Sequence, residues 1–325
     1  MTSYLKFSSF KKQEILNLRH LWNDELEFIF PISEELFNRN TYLTEGFLED
    51  SSYVALVDNI PVGFIISKIW NTTKIDGLYE NIGWITLFYV SKKFRNQGIG
   101  SNLLLLVEND LKELGVKTLF LGKDYQNFFP GLPIDLKEHL KWFEKRGFEG
   151  LYQTHDLINN NLSAELLSRN FDTQKYQIKV CTKDDFPELL KFMKKNFPGK
   201  WTIELLDYIK NNGTGKEFVI CINNEGRVCG FVKACSFKTP IELIGFSLTW
   251  RDRFDRLGGI GPLGVDSDCR KQNIAYNMIA FSVNYLRSLD CQSLIIDWTN
   301  LISFYRKFGF EVWKTYTYIE KKLEL

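Results

Sequence analysis

Hydrophobic and polar positions along the chain follow two different periods, and each predicts its own kind of element. Tyr53–Val57 and Val62–Lys68 are short runs rich in apolar and β-branched residues. They flank Asp58-Asn-Ile-Pro61, a set of turn formers, so the stretch predicts a hairpin. Phe218–Ile222 and Arg227–Phe237 flank Asn223-Asn-Glu-Gly226 in the same way. Ile82–Val90, Thr118–Leu121 and Ser293–Ile296 read as buried strands. Helical spacing runs through Lys11–Phe28, Gly98–Leu114, Phe186–Asn196 and Trp201–Asn211. Asp184, shortly ahead of Pro187, marks a helix start.

The pattern repeats. Val90-Ser-Lys-Lys-Phe-Arg95-Asn-Gln-Gly98-Ile-Gly100 and Val265-Asp-Ser-Asp-Cys-Arg270-Lys-Gln-Asn273-Ile-Ala275 follow one rule, V-x4-R-x-Q-[GN]-I-[GA], 175 residues apart. Trp142-Phe-Glu-Lys-Arg-Gly-Phe-Glu149 matches Phe304-Tyr-Arg-Lys-Phe-Gly-Phe-Glu311 at a separation of 162. The first half therefore carries 13 extra residues between Asp124 and Trp142. Each half reads strand, helices, hairpin, strand, loop, helix, strand, helix, strand. Local antiparallel pairing joined to a βαβ crossover implies an α/β class: a mixed, mostly antiparallel sheet flanked by helices. Asn159-Asn-Asn161 opens a polar connector. The expected division is a first domain at 1–160, a connector at 161–175 and a second domain at 176–325.

Composition narrows what such a chain can be. With 325 residues, 44% hydrophobic and 25% charged, it has ample apolar material for two cores and is neither disordered nor a coiled coil. Lys+Arg of 41 against Asp+Glu of 40 leaves a net charge of +1, which disfavours nucleic-acid coating or membrane-surface binding. No run is long enough for a membrane span, and Met1–Lys12 lacks the apolar core of a signal peptide. The six cysteines contain no C-x-x-C pair, and His20, His139 and His155 have no partner at ligand spacing. No metal site is expected, and reduced thiols in the cytoplasm are.

The first repeat motif lies between a strand and a helix. Glycines there let the backbone turn tightly and approach a ligand, and the helix start offers unpaired N–H groups to an anion such as a pyrophosphate. The series of strand, Arg95-Asn-Gln-Gly98-Ile-Gly100, helix, strand and a closing Gly-Phe resembles the GNAT superfamily of acyl-CoA-dependent N-acyltransferases. Trp142–Phe148 and Phe304–Phe310 are similar to that family's closing segment. The resemblance covers nearly the whole chain as tandem domains. It implies acetyl-CoA as co-substrate, backbone groups of Phe88 and Val90 facing the pantetheine arm, and a pyrophosphate cradle at Arg95, Asn96, Gln97, Gly98, Ile99, Gly100 and Ser101. In the second copy Asn273 and Ala275 replace the loop glycines, so that site reads as weakened. Phe143 stands where the family often has a tyrosine acid, while Tyr305 keeps it in the second half.

Acetyl transfer to an amine needs a proton acceptor, carbonyl polarisation and a donor for the departing thiolate. Glu80, ahead of the motif strand, is the base candidate. Asp124 ends the next strand and could face the acceptor, and Tyr125 could replace the missing acid. Within the insertion Tyr125-Gln-Asn-Phe-Phe-Pro-Gly-Leu-Pro133, Phe128 and Phe129 are candidates for the acceptor wall. The expectation is an acetyl-CoA-dependent N-acetyltransferase acting on a small amine through the first half. The competing expectation is a non-catalytic acyl-CoA-binding protein.

Overall fold

The computed structural model describes residues 4–70, 79–162, 165–244 and 250–324. The chain forms two compact units. The first comprises Met1–Thr154, Leu248–Arg253 and Thr315–Leu325. The second comprises His155–Ser247 and Phe254–Lys314.

In the first unit, β1 (Leu5–Ser9) leads to α1 (Ile15–Leu26) and the short α2 (Glu34–Arg39). Ser33 caps α2 by accepting from the Leu36 N–H. The hairpin follows as β2 (Tyr53–Val57) and β3 (Ile60–Ile69). Its turn is shorter than expected from the sequence: Asp58 and Asn59 alone make it, both left-handed at φ 50° and 67°. That two-residue form matches the twist of the strands, and it frees Ile60 and Pro61 to join β3. Then come β4 (Ile82–Val90), α3 (Ile99–Glu113), β5 (Thr118–Leu121), the two-residue β6 (Leu132–Pro133) and α4 (Leu140–Glu144). β1 to β4 pair antiparallel in sequence order, whereas β4 and β5 are parallel. Leu103, Leu104, Val107 and Leu111 form the buried stripe of α3 and pack with Ile65, Ile85 and Leu119 of the sheet. Each such side chain contributes roughly 1.5–3 kcal/mol.

The second unit repeats the plan. β7 (Glu149–Asn159) enters it at His155, followed by β8 (Tyr176–Val180), α5 (Phe186–Asn196), α6 (Lys200–Lys210), β9 (Phe218–Asn223) and β10 (Val228–Cys235). The expected start at Asp184 gives way to a capping box, in which Thr182 and Asp185 exchange side-chain and backbone hydrogen bonds ahead of α5. β11 (Leu257–Val265), α7 (Ile274–Ser288), β12 (Ser293–Thr299), α8 (Ile302–Tyr305) and β13 (Glu311–Lys322) complete the chain. β11 and α7 lie at the same 175-residue offset from β4 and α3.

The last strands are exchanged. β13 leaves the second unit at Lys314, and its Glu320, Lys321 and Lys322 pair with Phe120, Leu119 and Thr118 of β5. The end of β7, Ile158 and Asn159, pairs instead with Ile295 and Leu294 of β12. Each sheet is thus closed by a strand from the other half of the sequence. Each unit is therefore assembled from stretches that are not contiguous in the sequence.

Candidate functional site

β4 and β5 begin as neighbours and then part. Their parallel ladder runs from Ile82 against Thr118 to Ile85 against Leu121. The Gly122 N–H then donates to the Ile85 carbonyl at 2.8 Å, closing the ladder. Gly122 has φ 68°, and a Cβ there would lie 2.3 Å from the Phe129 carbonyl, so only glycine lets the chain turn away here. β4 continues to Val90 with that edge unpaired by any strand among the described residues. On its other side, the register against β3 shifts between Ile66 and Ser67, which leaves Thr86 as the bulged residue of β4.

A cavity of about 720 Å³ opens beside this edge. Thr86 to Val90 form one wall, Trp22, Glu25, Leu26 and Ile29 of the α1 region a second, and Leu132 to Phe143 a third. Arg95, Asn96 and Gly100 line the cavity as well. The turn before α3 is left-handed at Asn96 (φ 61°) and Gly98 (φ 81°), and Gly98 is the residue preceding the first helical position. A Cβ on Gly98 would have only the Asn102 amide within contact range, at 3.9 Å. Open space in front of a helix start suits an anion.

Charges hold this loop. Glu25 Oε1 accepts from the Lys92 N–H at 2.7 Å and from the Ser91 hydroxyl at 3.2 Å. Its Oε2 accepts from Arg95 Nη2 at 3.2 Å, while Arg95 Nε donates to the Val90 carbonyl. Tyr89 faces the same region, and burial together with the Glu25 carboxylate pushes its phenol far above the ordinary value. Ser101 accepts from Arg146, whose guanidinium lies 3.7 Å over the Trp142 ring.

Of the residues singled out for the pantetheine arm, Phe88 and Val90 both line the cavity, and of those singled out for the anion cradle, Arg95, Asn96 and Gly100 do. Ile99 is buried in the core, and Gln97 bonds back to the Lys93 carbonyl. The catalytic candidates fare differently, since none of the four is among the lining residues. Glu80 is exposed in the turn before β4, and the strand from Ile82 to Thr86 alone spans about 13 Å. Asp124 is 1% exposed and bonds to Lys68 Nζ at 2.5 Å, with Lys68 itself 2% exposed. Asp124 also accepts from the Thr86 hydroxyl at 2.9 Å. Tyr125 stacks on Trp70, with centroids 4.8 Å apart. Tyr305 sits in the core of the second unit, where burial and the Asp297 charge push it up to about 12. The insertion residues divide: Phe129 lines the cavity against Trp22 and Phe30, whereas Phe128 is fully buried against Phe37. A run of two aromatics in a loop gives no sign of which one turns inward.

His139, which has no partner at ligand spacing in the sequence, lines the cavity. It ends a 3-10 segment, Ile134–His139, inside the insertion, where no periodicity in the sequence could place it.

The matching loop of the second unit keeps its backbone and changes its surroundings. Lys271 and Asn273 are left-handed at φ 63° and 57°, like Asn96 and Gly98. The Asn273 side chain donates to the Asn170 carbonyl at 3.3 Å. Asn277 and Asn284 of α7 exchange hydrogen bonds with the backbone of Arg169 and Leu166. The connector is therefore laced along α7. Pro262 stands in β11 where β4 has Leu87, and proline has no N–H to offer.

Comparison with known proteins followed the same lines. The profile of the Acetyltransferase (GNAT) family matches residues 15–129 and 186–310. No curated protein matches the chain by sequence. Among solved structures, a GCN5-related glucosamine N-acetyltransferase region of a fungal multi-domain GH3 beta-N-acetylglucosaminidase is similar, at TM-score 0.87 and 19% identity. The match covers 98% of this chain but 38% of the fungal one. A GCN5-related N-acetyltransferase from Sphaerobacter thermophilus matches at TM-score 0.71 and 13% identity, covering 99% of this chain and 96% of its own. A tandem GNAT protein from the clavulanic acid biosynthesis pathway matches at TM-score 0.72 and 10% identity, covering 99% of both chains. At such identities these three likenesses speak to fold.

Proposed function

Because the chain belongs to the acetyltransferase (GNAT) family, we propose that it is an acetyl-CoA-dependent N-acetyltransferase. It moves the acetyl group to a primary amine of a small molecule by direct attack in a ternary complex. The observation that carries this reading is the unpaired edge of β4, which leads along one cavity wall to the left-handed Gly98 turn before α3. An extended pantetheine arm would add to that edge through backbone hydrogen bonds of Phe88 and Val90. The pyrophosphate would meet the N–H groups at residues 96–101. A Cβ on Gly98 would meet only the Asn102 amide, which leaves room for a phosphate to approach, and Arg95 and Lys92 bring positive charge to the cavity lining.

The acceptor would enter on the α1 side, where Trp22, Leu26, Ile29 and Phe129 make an apolar wall. The second unit would be structural, since Pro262 lacks a donor and Asn273 is tied to the connector. Among the described residues all six cysteines are free, which fits a reducing compartment such as the cytoplasm. A second reading, a non-catalytic acyl-CoA-binding protein, draws on the absence of Glu80, Asp124, Tyr125 and Tyr305 from the cavity lining.

The deciding measurement is free thiol release from acetyl-CoA across a panel of small amines. Glucosamine belongs first on the panel, because the fungal region of similar fold is described as a glucosamine N-acetyltransferase. Thiol release that depends on an amine supports the enzyme. Tight CoA binding with no release for any amine would leave the binding-protein reading standing.

A further inference from the structure

We propose that His139 is the proton carrier of the acetyl transfer, accepting a proton from the acceptor nitrogen and returning it to the departing sulfur. The inference rests on the acetyltransferase reading above and adds the residue that reading lacks. The argument starts from what the cavity walls contain. Their titratable groups are Glu25, Tyr89, Asp135, Glu138 and His139, beside the cations Lys92 and Arg95. Glu25 is engaged by Ser91, Lys92 and Arg95. Tyr89 is held protonated well above neutrality by burial and by Glu25. A carboxylate holds a proton more weakly than imidazole does at neutral pH, so it is the poorer donor to a departing thiolate. Imidazole is the side chain that can both take and give a proton there.

The position of His139 fits the task. It precedes α4 with helical backbone angles, φ −83° and ψ −15°, so Phe143 lies one turn further along the same face. Both line the cavity, and a phenyl ring carries no exchangeable proton. The imidazole is 35% exposed, which leaves it open to a substrate. Burial lowers its pKa below the usual 6.5; the Arg95 charge acts in the same direction, and Glu138, with its Oε1 3.6 Å from Nε2, opposes them. His139 is therefore neutral at neutral pH and ready to accept.

The step balances without a further reagent. The nitrogen lone pair of the neutral amine attacks the thioester carbonyl carbon and forms the C–N bond. The nitrogen, now cationic, loses its proton to His139. The C–S bond breaks with its electron pair on sulfur, and the imidazolium protonates that sulfur. The products are the amide and free CoA, and His139 is neutral again.

The test uses the full chain with acetyl-CoA and an amine that passes the panel above. His139→Gln should lower kcat by about 10²–10⁴-fold, the range for loss of a general acid–base group. CoA affinity by calorimetry should stay within about threefold of wild type. In the wild type, kcat/KM should fall as pH drops through the imidazole pKa, below about 6.5. The steepening of that limb beyond the slope set by the amine's own protonation should vanish in His139→Gln. His139→Ala should recover activity when free imidazole is added, which a merely structural residue would not allow. A kcat within threefold of wild type, or a loss confined to CoA affinity, overturns the assignment. No transfer to any amine by the wild type overturns the acetyltransferase reading itself, whereas transfer that survives His139→Gln overturns only the proton carrier.

Discussion

At the residue scale the cavity shows how burial sorts chemically similar groups into different tasks. Asp124 and Lys68 are both removed from water, and their charges are satisfied by each other, by the Thr86 hydroxyl and by the Gln126 carbonyl. A carboxylate in that position anchors the bulged strand and the start of the insertion instead of meeting an acceptor. Removing one partner strands a buried charge, so Lys68→Met should cost about 3–5 kcal/mol of stability, read as the shift in a urea midpoint. A midpoint within error of wild type would contradict the pairing. The two insertion phenylalanines should separate by the same logic. Phe128→Ala should lose about 3–5 kcal/mol, because it empties a core position. Phe129→Ala should raise the acceptor KM with less change in that of acetyl-CoA, since uniform binding lost from one substrate appears in that substrate's KM. Equal stability losses with unchanged KM values would return Phe129 to a packing role.

At the scale of elements, the two strand–loop–helix units test what a loop needs in order to hold a phosphate. Asn273 adopts the left-handed turn that Gly98 adopts, so the backbone alone does not separate them. What differs is the side chain, which Asn273 bonds to the Asn170 carbonyl. Gly98→Asn should therefore fold normally, with a melting temperature within a few degrees of wild type, yet bind CoA at least about tenfold more weakly by calorimetry. Wild type should bind one CoA per chain. Retained affinity in Gly98→Asn, or a stoichiometry of two, would reverse the assignment of the cofactor to the first unit.

At the scale of the whole molecule, all six cysteines fall in the second unit, together with the buried phenol of Tyr305. Burial pushes Cys181, Cys221 and Cys229 up to about 12, Cys291 up to about 11 and Tyr305 up to about 12, against ordinary values of 9.0 for the thiols and 10.0 for the phenol. The folded state thus keeps protons that the unfolded chain releases first. Stability from these groups is fully present below their ordinary values, and it falls as pH climbs from about 9 through about 12. A urea midpoint that declines over this window is the expected outcome. A flat midpoint would mean that these groups are more open to water than their burial indicates.

The sequence by itself determined whatever depends on neighbours along the chain. The repeat at 175 residues, the span of β4, the helix α5 and the glycine turn before α3 were all legible, because periodicity, turn chemistry and helix starts are set within a few residues. The left-handed loop was legible for the same reason, and Arg95, Asn96 and Gly100 line the cavity. The tertiary structure alone decided the rest. An alternating apolar strand carries no mark of its partner, so nothing in Glu311–Lys322 announced that it would pair with Thr118–Phe120. Asp124 looked like a cleft residue until Lys68, 56 positions earlier, proved to be buried against it. His139 looked incidental because its setting is made by Arg95, Glu138 and the open edge of β4, which share a cavity without sharing a sequence pattern. Local chemistry fixes elements, whereas the fate of a side chain is set by whichever distant groups the fold brings within a few ångströms and screens from water.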